Sequence, residues 1–111
     1  MKTLPRIQPT SERFPALQEQ AVEFTFYAPA ALVVQVAGTF NHWDPEANPL
    51  THTGAGDWSA LIPLKSGQYE YRFVVDGEWA EDPRATQSSP GSQGGLNSVL
   101  NVRLDDRTEL L

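Results

Sequence analysis

The sequence contains no cysteine among its 111 residues and only two histidines. Without cysteine the chain can form no disulfide framework, no thiolate nucleophile and no cysteine-based zinc site, although this absence leaves its compartment open. The two histidines, His42 and His52, have no nearby ligands in the sequence and make no recognisable metal-binding pattern. We therefore expect no metal ion and no cofactor.

Positive charge is also scarce: the sequence has eight Lys and Arg residues against fourteen Asp and Glu residues, and its formal net charge is −6. Nucleic acids are held largely through phosphates that Lys and Arg neutralise, and an anionic membrane surface would repel this charge. No apolar run approaches the roughly 20 residues that span a bilayer. The composition predicts neither a nucleic-acid nor a membrane partner, and it favours a neutral ligand.

Residues 1–6 lack the apolar stretch of a secretory signal, so the expected location is the cytoplasm. The length suits one hydrophobic core, and Gly and Pro cluster between short apolar runs, which favours strands and turns. We expect an N-terminal arm over 1–20, a folded domain over 21–104 and a C-terminal tail over 105–111. The arm is either disordered or docked on the domain through Phe14 and Leu17.

The folded domain is predicted to be all-β. Apolar residues alternate regularly from Val22, and the run from Leu32 to Gly38 is apolar on both faces, as in the middle of a packed sheet. About seven short strands with turns at this spacing indicate two antiparallel sheets packed as an immunoglobulin-like β-sandwich. On the strand from Trp58 to Leu64, the tryptophan falls on the apolar side and is expected in the core.

The Asp-Gly pair at 76–77 predicts a two-residue hairpin of type I′, because both central positions need positive φ. In such a hairpin Val74 pairs with Trp79. Two residues further from the turn, Arg72 is expected to pair with Glu81. The more aromatic side of the strand should face the core, so Arg72, Val74 and Trp79 are expected to point away from it.

An outward tryptophan beside a charged side chain has two interpretations. A pyranose carries C–H groups on its face and hydroxyls on its rim, so it suits a flat aromatic ring flanked by hydrogen-bond donors. The pair of Arg72 and Trp79 has that character. The other interpretation is a cation–π contact that serves only the protein surface. The two residues alone leave both interpretations open.

The turn from Gly38 to Asp44 makes the sequence recognisable. The chain resembles carbohydrate-binding module family 48, which includes the glycogen-binding domain of the AMP-activated protein kinase β subunit and the N-terminal domains of isoamylases and branching enzymes. The resemblance extends from about Val22 to Arg103. Four segments carry it: VAGTFNHW at 36–43, the strand at 58–64, GQYEYRFVVDGEW at 67–79 with Asp82-Pro83, and NSVLNV at 97–102.

The resemblance implies non-catalytic binding of an α-1,4-linked glucan such as glycogen, starch or a maltooligosaccharide. It places the two tryptophans of the sugar platform at Trp43 and Trp79. Arg72 stands where the family has a basic residue that hydrogen-bonds glucose hydroxyls. Asn97 falls on an asparagine that contacts hydroxyls through its amide.

The loop from Gln87 to Leu96 departs from the family pattern. Kinase-subunit domains carry a leucine and a threonine near the positions of Gln93 and Gly95, which are therefore candidates for accessory contacts.

Asp44 with Glu46, and Glu81 with Asp82, are the acidic pairs that could be imagined as the acid and base of a glycosidase, but both lie in polar, turn-like segments. The chain also lacks the roughly 250-residue barrel that usually bears such chemistry when a module of this kind is attached to it. We expect no catalytic residue. Two alternatives remain: a regulatory subunit that docks on a kinase or a glucan-active enzyme, and a structural module that has lost sugar binding.

Overall fold

The computed structural model describes residues 18–104, which form eight strands and one short 3-10 helix. Within this part of the chain, no helix is long and apolar enough to cross a membrane. The strands are β1 Glu19–Tyr27, β2 Val34–Gly38, β3 Thr51–Gly54, β4 Asp57–Lys65, β5 Gly67–Val75, β6 Glu78–Ala80, β7 Ser88–Pro90 and β8 Leu96–Val102, and the 3-10 helix is Pro45–Ala47.

The strands make two antiparallel sheets, as the sequence predicts. The smaller sheet has the order β1-β4-β3, and the larger has the order β2-β5-β8-β7. Strand β5 is central to the larger sheet: β2 pairs with its C-terminal half, β8 with its N-terminal half, and β6 with its last three residues. This arrangement is the predicted β-sandwich, and it leaves the C-terminal half of β5 between β2 and β6.

The core lies between the two sheets and is built by aromatic side chains from both. The rings of Phe24 on β1 and Tyr71 on β5 lie 5.2 Å apart edge to face, and those of Phe26 and Phe73 lie 4.8 Å apart. Such contacts add specific geometry to the burial of apolar area. Trp58 is buried as predicted, and its Nε1 donates a 3.0 Å hydrogen bond to the Ala28 carbonyl.

Two expected boundaries differ from the structure. Strand β1 begins at Glu19, which pairs with Lys65, so the strand extends two residues into the arm expected over 1–20. Strand β2 begins at Val34 rather than at Leu32. The amides of residues 32 and 33 instead donate to the Asp76 carboxylate, at 2.8 and 2.9 Å, and Leu32 is 84% exposed.

Strand β7 was not predicted, because its three residues are polar or proline and show no alternation. The proposed docking of the arm through Phe14 and Leu17, and the tail over 105–111, lie outside the described residues.

The hairpin at 76–77 is confirmed, since Asp76 and Gly77 have φ of 50° and 86°. Val74 pairs with Trp79, but the ladder ends one pair before Arg72, which pairs with Ala37 on the other side. The expected pairing of Arg72 with residue 81 is therefore wrong.

Val74 lies outside the core cluster, as expected of an outward residue, yet it is only 4% exposed. Its paired neighbours on that face are Gln35 on β2 and Trp79 on β6, and directly opposed side chains lie close enough to cover it. Side chains on the outer face of the larger sheet therefore cover Val74 and shield it from solvent.

Candidate functional site

The outer face of the larger sheet carries an open concavity of about 730 Å³. Its walls come from the turn after β2, the strands β5 and β6, and the loop between β7 and β8. Five of the residues singled out from the sequence line it: Trp43, Arg72, Trp79, Gln93 and Asn97. The first and the last of these residues are 54 positions apart in the sequence, so only the folding of the larger sheet brings them together.

Trp43 is held in place by a tightly constrained turn. His42 and Trp43 both have φ near 58°, in the left-handed region that non-glycine residues rarely adopt. The amide of Trp43 donates to the Gly38 carbonyl at 2.9 Å. Asn41 caps the turn, because its Oδ1 accepts from the Gly38 amide at 2.9 Å and its Nδ2 donates to the Val36 carbonyl at 3.1 Å. Strained backbone of this kind is often found at functional sites.

Trp79 reaches the concavity from β6, next to the Asp76-Gly77 turn. It is 46% exposed, an unusual degree for so large an apolar ring, whereas Trp43 is half-buried. Both indoles line the same concavity. The type I′ turn is the local feature that aims Trp79, because it sets the register in which this residue pairs with Val74 and shares its outward face.

Arg72 is fixed by two hydrogen bonds. Its Nε donates to Asn97 Oδ1 at 2.8 Å, and its Nη2 donates to the Gly94 carbonyl at 2.6 Å. The first bond joins β5 to the start of β8, and the second joins β5 to the loop before it. The guanidinium is therefore a rigid part of the concavity wall rather than a freely moving surface cation.

Asn97 is only 8% exposed, and its amide is used on both sides. Besides accepting from Arg72, it donates from Nδ2 to Glu70 Oε1 at 2.9 Å. Both ends of the Asn97 amide are thus engaged within the protein, with one hydrogen bond donated and one accepted. The structure places Asn97 in the lining, but behind the side chains that it connects.

The loop from Pro90 to Gly95 forms the remaining wall and packs against the guanidinium. The Gly91 amide donates to the Gly95 carbonyl at 2.9 Å, which closes the loop on itself. A Cβ at Gly95 would lie 3.0 Å from Arg72 Nη2, and the φ of Gly95 is +72°. Gln93 lines the concavity, as the resemblance suggested for an accessory contact. Gly95 is not in the lining and packs against the Arg72 guanidinium instead.

Sequence reasoning missed Glu70 and most of the loop. Glu70 lines the concavity, and the signal that could have found it is its position two residues before Arg72, on the same face of β5. The other unpredicted lining residues are Pro90, Gly91, Ser92 and Gly94. Nothing in a short run of Gly, Ser and Pro reveals which backbone groups will meet a distant arginine.

The acidic residues considered for catalysis have structural partners elsewhere. Asp44 caps the 3-10 helix by accepting from the Glu46 amide at 2.9 Å, and Asp82 accepts a 2.5 Å hydrogen bond from the Tyr71 hydroxyl. Over residues 18–104, no cluster of three or more His, Cys, Asp or Glu is arranged to hold a metal ion.

Comparison with known proteins identifies the family to which this chain belongs. The family model described as the glycogen recognition site of AMP-activated protein kinase matches residues 21–108. The 5'-AMP-activated protein kinase subunit beta-2 of Mus musculus is 34% identical over 74 residues, which cover 66% of this chain and 26% of that protein. The subunit beta-1 of Bos taurus is 35% identical over the same length. The chain thus spans about a quarter of the length of these relatives.

Among solved structures, a maltogenic amylase from S. marinus superposes with a TM-score of 0.65 over 78% of this chain and 14% of the amylase, at 22% identity. At that identity the likeness concerns the fold alone. The family match covers most of the chain and agrees with the resemblance seen in the sequence motifs. The chain belongs to the family of the glycogen recognition site of AMP-activated protein kinase, a carbohydrate-binding module.

Proposed function

We propose that this domain binds an α-1,4-linked glucan, such as glycogen, starch or a maltooligosaccharide, in the concavity on its larger sheet. The observation that carries the proposal is the meeting of Trp43, Trp79 and Arg72 in one open concavity on the outer face. Two indoles offer flat apolar surfaces to the C–H faces of glucose units, and the guanidinium offers donors to their hydroxyls. The family match supports the same ligand class.

The proposed role is binding without catalysis. Glycoside hydrolysis usually needs two carboxyl groups on either side of the scissile bond. Among the described residues that line the concavity, Glu70 is the only carboxylate, and it is engaged with Asn97. We expect a dissociation constant between millimolar and micromolar, about −4 to −8 kcal/mol, because an open face covers only part of a sugar chain.

Calorimetric titration with maltoheptaose, together with affinity electrophoresis in glycogen, tests the proposal. Trp43→Ala and Trp79→Ala should each weaken binding at least tenfold, and the double variant should abolish it while the fold persists. Tyr27→Ala is the control, since this aromatic residue is 65% exposed on the other sheet and should bind as the wild type does. Absence of heat and of retardation at millimolar sugar would instead support a structural module that has lost sugar binding.

A second candidate role is docking on a kinase or a glucan-active enzyme. The likeness to kinase beta subunits favours it, since the matched segment is about a quarter of a longer chain that is itself a subunit of a kinase. Co-purification of one defined enzyme with this chain at stoichiometric ratio, in the absence of glucan, would support this role. Recovery of the chain alone would count against it. The cytoplasmic location expected from the sequence stays a prediction.

A further inference from the structure

Glu70 is the only carboxylate among the described residues that line the concavity, and the proposed sugar contacts leave it without a role. It precedes Arg72 by two residues on β5, so both side chains lie on the outer face of the sheet. Its Oε1 accepts a 2.9 Å hydrogen bond from Asn97 Nδ2. The same asparagine accepts a 2.8 Å hydrogen bond from Arg72 Nε through its Oδ1. The three side chains therefore form a continuous series from carboxylate to amide to guanidinium.

The chemistry of the two ends decides how the central amide is oriented. A carboxylate only accepts hydrogen bonds and a guanidinium only donates them, whereas an amide has one end of each kind. Asn97 can satisfy both neighbours in one orientation only, with Nδ2 towards Glu70 and Oδ1 towards Arg72. A flipped amide would set its N–H groups against the Nε–H of Arg72. Such a buried mismatch is costly, and Asn97 is 8% exposed.

The orientation of Asn97 in turn fixes the plane of the guanidinium. Asn97 Oδ1 holds Nε, and the Gly94 carbonyl holds Nη2 at 2.6 Å from the other side. Within the described chain, Nη1 has no hydrogen-bond acceptor, so its N–H groups stay available to a ligand. Because the guanidinium is planar, fixing Nε and Nη2 also fixes where the Nη1 donors stand.

We propose that Glu70 is a positioning residue that orients the Asn97 amide and, through it, the donors of Arg72 that meet the ligand. Its effect on affinity rests on the proposed glucan binding, whereas its effect on Arg72 does not. In this role Glu70 need not contact the ligand itself. Without Glu70 the Asn97 amide is free to flip, and the guanidinium then loses the hydrogen bond from Nε to Asn97 Oδ1 and keeps only the one from Nη2 to the Gly94 carbonyl. Glutamine at this position keeps an acceptor oxygen and therefore keeps the series intact.

The test compares Glu70→Ala, Glu70→Gln and the charge control Glu23→Ala, which removes an exposed carboxylate from the other sheet. The first measurement is the ¹H–¹⁵N spectrum of the arginine Nε–H groups without sugar, in which the Arg72 signal is identified by its loss in Arg72→Lys. We expect a slowly exchanging Arg72 signal in the wild type, Glu70→Gln and Glu23→Ala. In Glu70→Ala the signal should shift and exchange rapidly with water.

The second measurement is titration with maltoheptaose. Glu70→Ala should bind about three- to tenfold more weakly, as expected for the loss of one hydrogen bond, with Glu70→Gln close to the wild type. An unchanged Arg72 signal in folded Glu70→Ala would overturn the positioning role, even if affinity fell. If the wild type itself bound no sugar, the proposed function would be wrong. The spectra recorded without sugar would still test whether Glu70 positions Arg72.

Discussion

Arg72 leaves no room for a side chain at Gly91. A Cβ at residue 91 would lie 2.5 Å from Arg72 Nη2 and 2.9 Å from the Gly94 carbonyl oxygen, closer than real Cβ contacts come. The backbone of Gly91 is not in the left-handed region, so its need for glycine is purely a matter of space. The loop therefore packs directly against the guanidinium, and a larger side chain in the loop should displace Arg72.

Gly91→Ala is therefore expected to displace the guanidinium and to weaken glucan binding about tenfold, with a loss of about 1–3 kcal/mol in the free energy of unfolding from overpacking. Titration with maltoheptaose and urea unfolding measure the two effects. Ser88→Ala, a change at an exposed residue of β7 outside the concavity lining, is the control and should alter neither. Equal affinities for Gly91→Ala and the wild type would show that the loop does not hold the arginine in its binding position.

The hydroxyl of Tyr71 links the core to the segment after β6. Burial first, and then the hydrogen bond and negative charge of Asp82, raise the pKa of this hydroxyl above its ordinary value near 10. The folded state therefore keeps the proton at a pH where the unfolded chain has lost it. This contribution is complete below pH ~10, and above it stability should fall by about 1.4 kcal/mol per pH unit.

Tyr71→Phe should remove that alkaline fall, because no proton remains to be lost. At pH 7 it should cost about 1–3 kcal/mol, since the hydrogen bond to Asp82 is broken. Urea unfolding at intervals from pH 7 to pH 11 measures both effects, with Tyr27→Phe, an exposed tyrosine, as the control. Parallel declines in Tyr71→Phe and the wild type would contradict the assignment of the alkaline sensitivity to this residue.

Asp76 combines two structural tasks. Its Oδ1 accepts from the amides of Leu32 and Val33, and its backbone has a φ of 50° that forms the hairpin turn. Asp76→Ala should cost about 1–2 kcal/mol, because two amides lose their acceptor and alanine tolerates this backbone region poorly. Asp76→Asn keeps an acceptor oxygen and should cost less. Thermal unfolding distinguishes them, and equal melting temperatures for both variants would argue against the side-chain bonds.

The sequence predicted the features that depend on local pattern. Alternating apolar residues identified the core side of β1, β4 and β5, because side chains in a strand point to opposite faces in turn. The Asp-Gly pair identified the hairpin and the register that pairs Val74 with Trp79. The tryptophans and Arg72 followed from that register and from the family motifs, and the structure places them in one concavity.

Features that depend on contacts between distant segments escaped prediction. The start of β2 is set by the Asp76 carboxylate, which comes more than forty residues later in the chain. Strand β7 exists because Ser88–Pro90 pairs with β8, and its own residues carry no strand signal. The burial of Val74 depends on its neighbours in β2 and β6 rather than on its own position.

The sequence by itself determined the all-β class, the hairpin and the outward position of Trp79, since each depends on residues near one another along the chain, whereas Trp43 was assigned through the family resemblance. Tertiary structure alone decided that Glu70, Asn97 and Arg72 are joined, and that a glycine loop closes against the guanidinium. The physical reason is that a hydrogen bond forms only when its donor and acceptor lie within about 3 Å of each other and are aligned, which the sequence alone does not reveal. Only the pairing of β5 with β8 brings these groups to that distance.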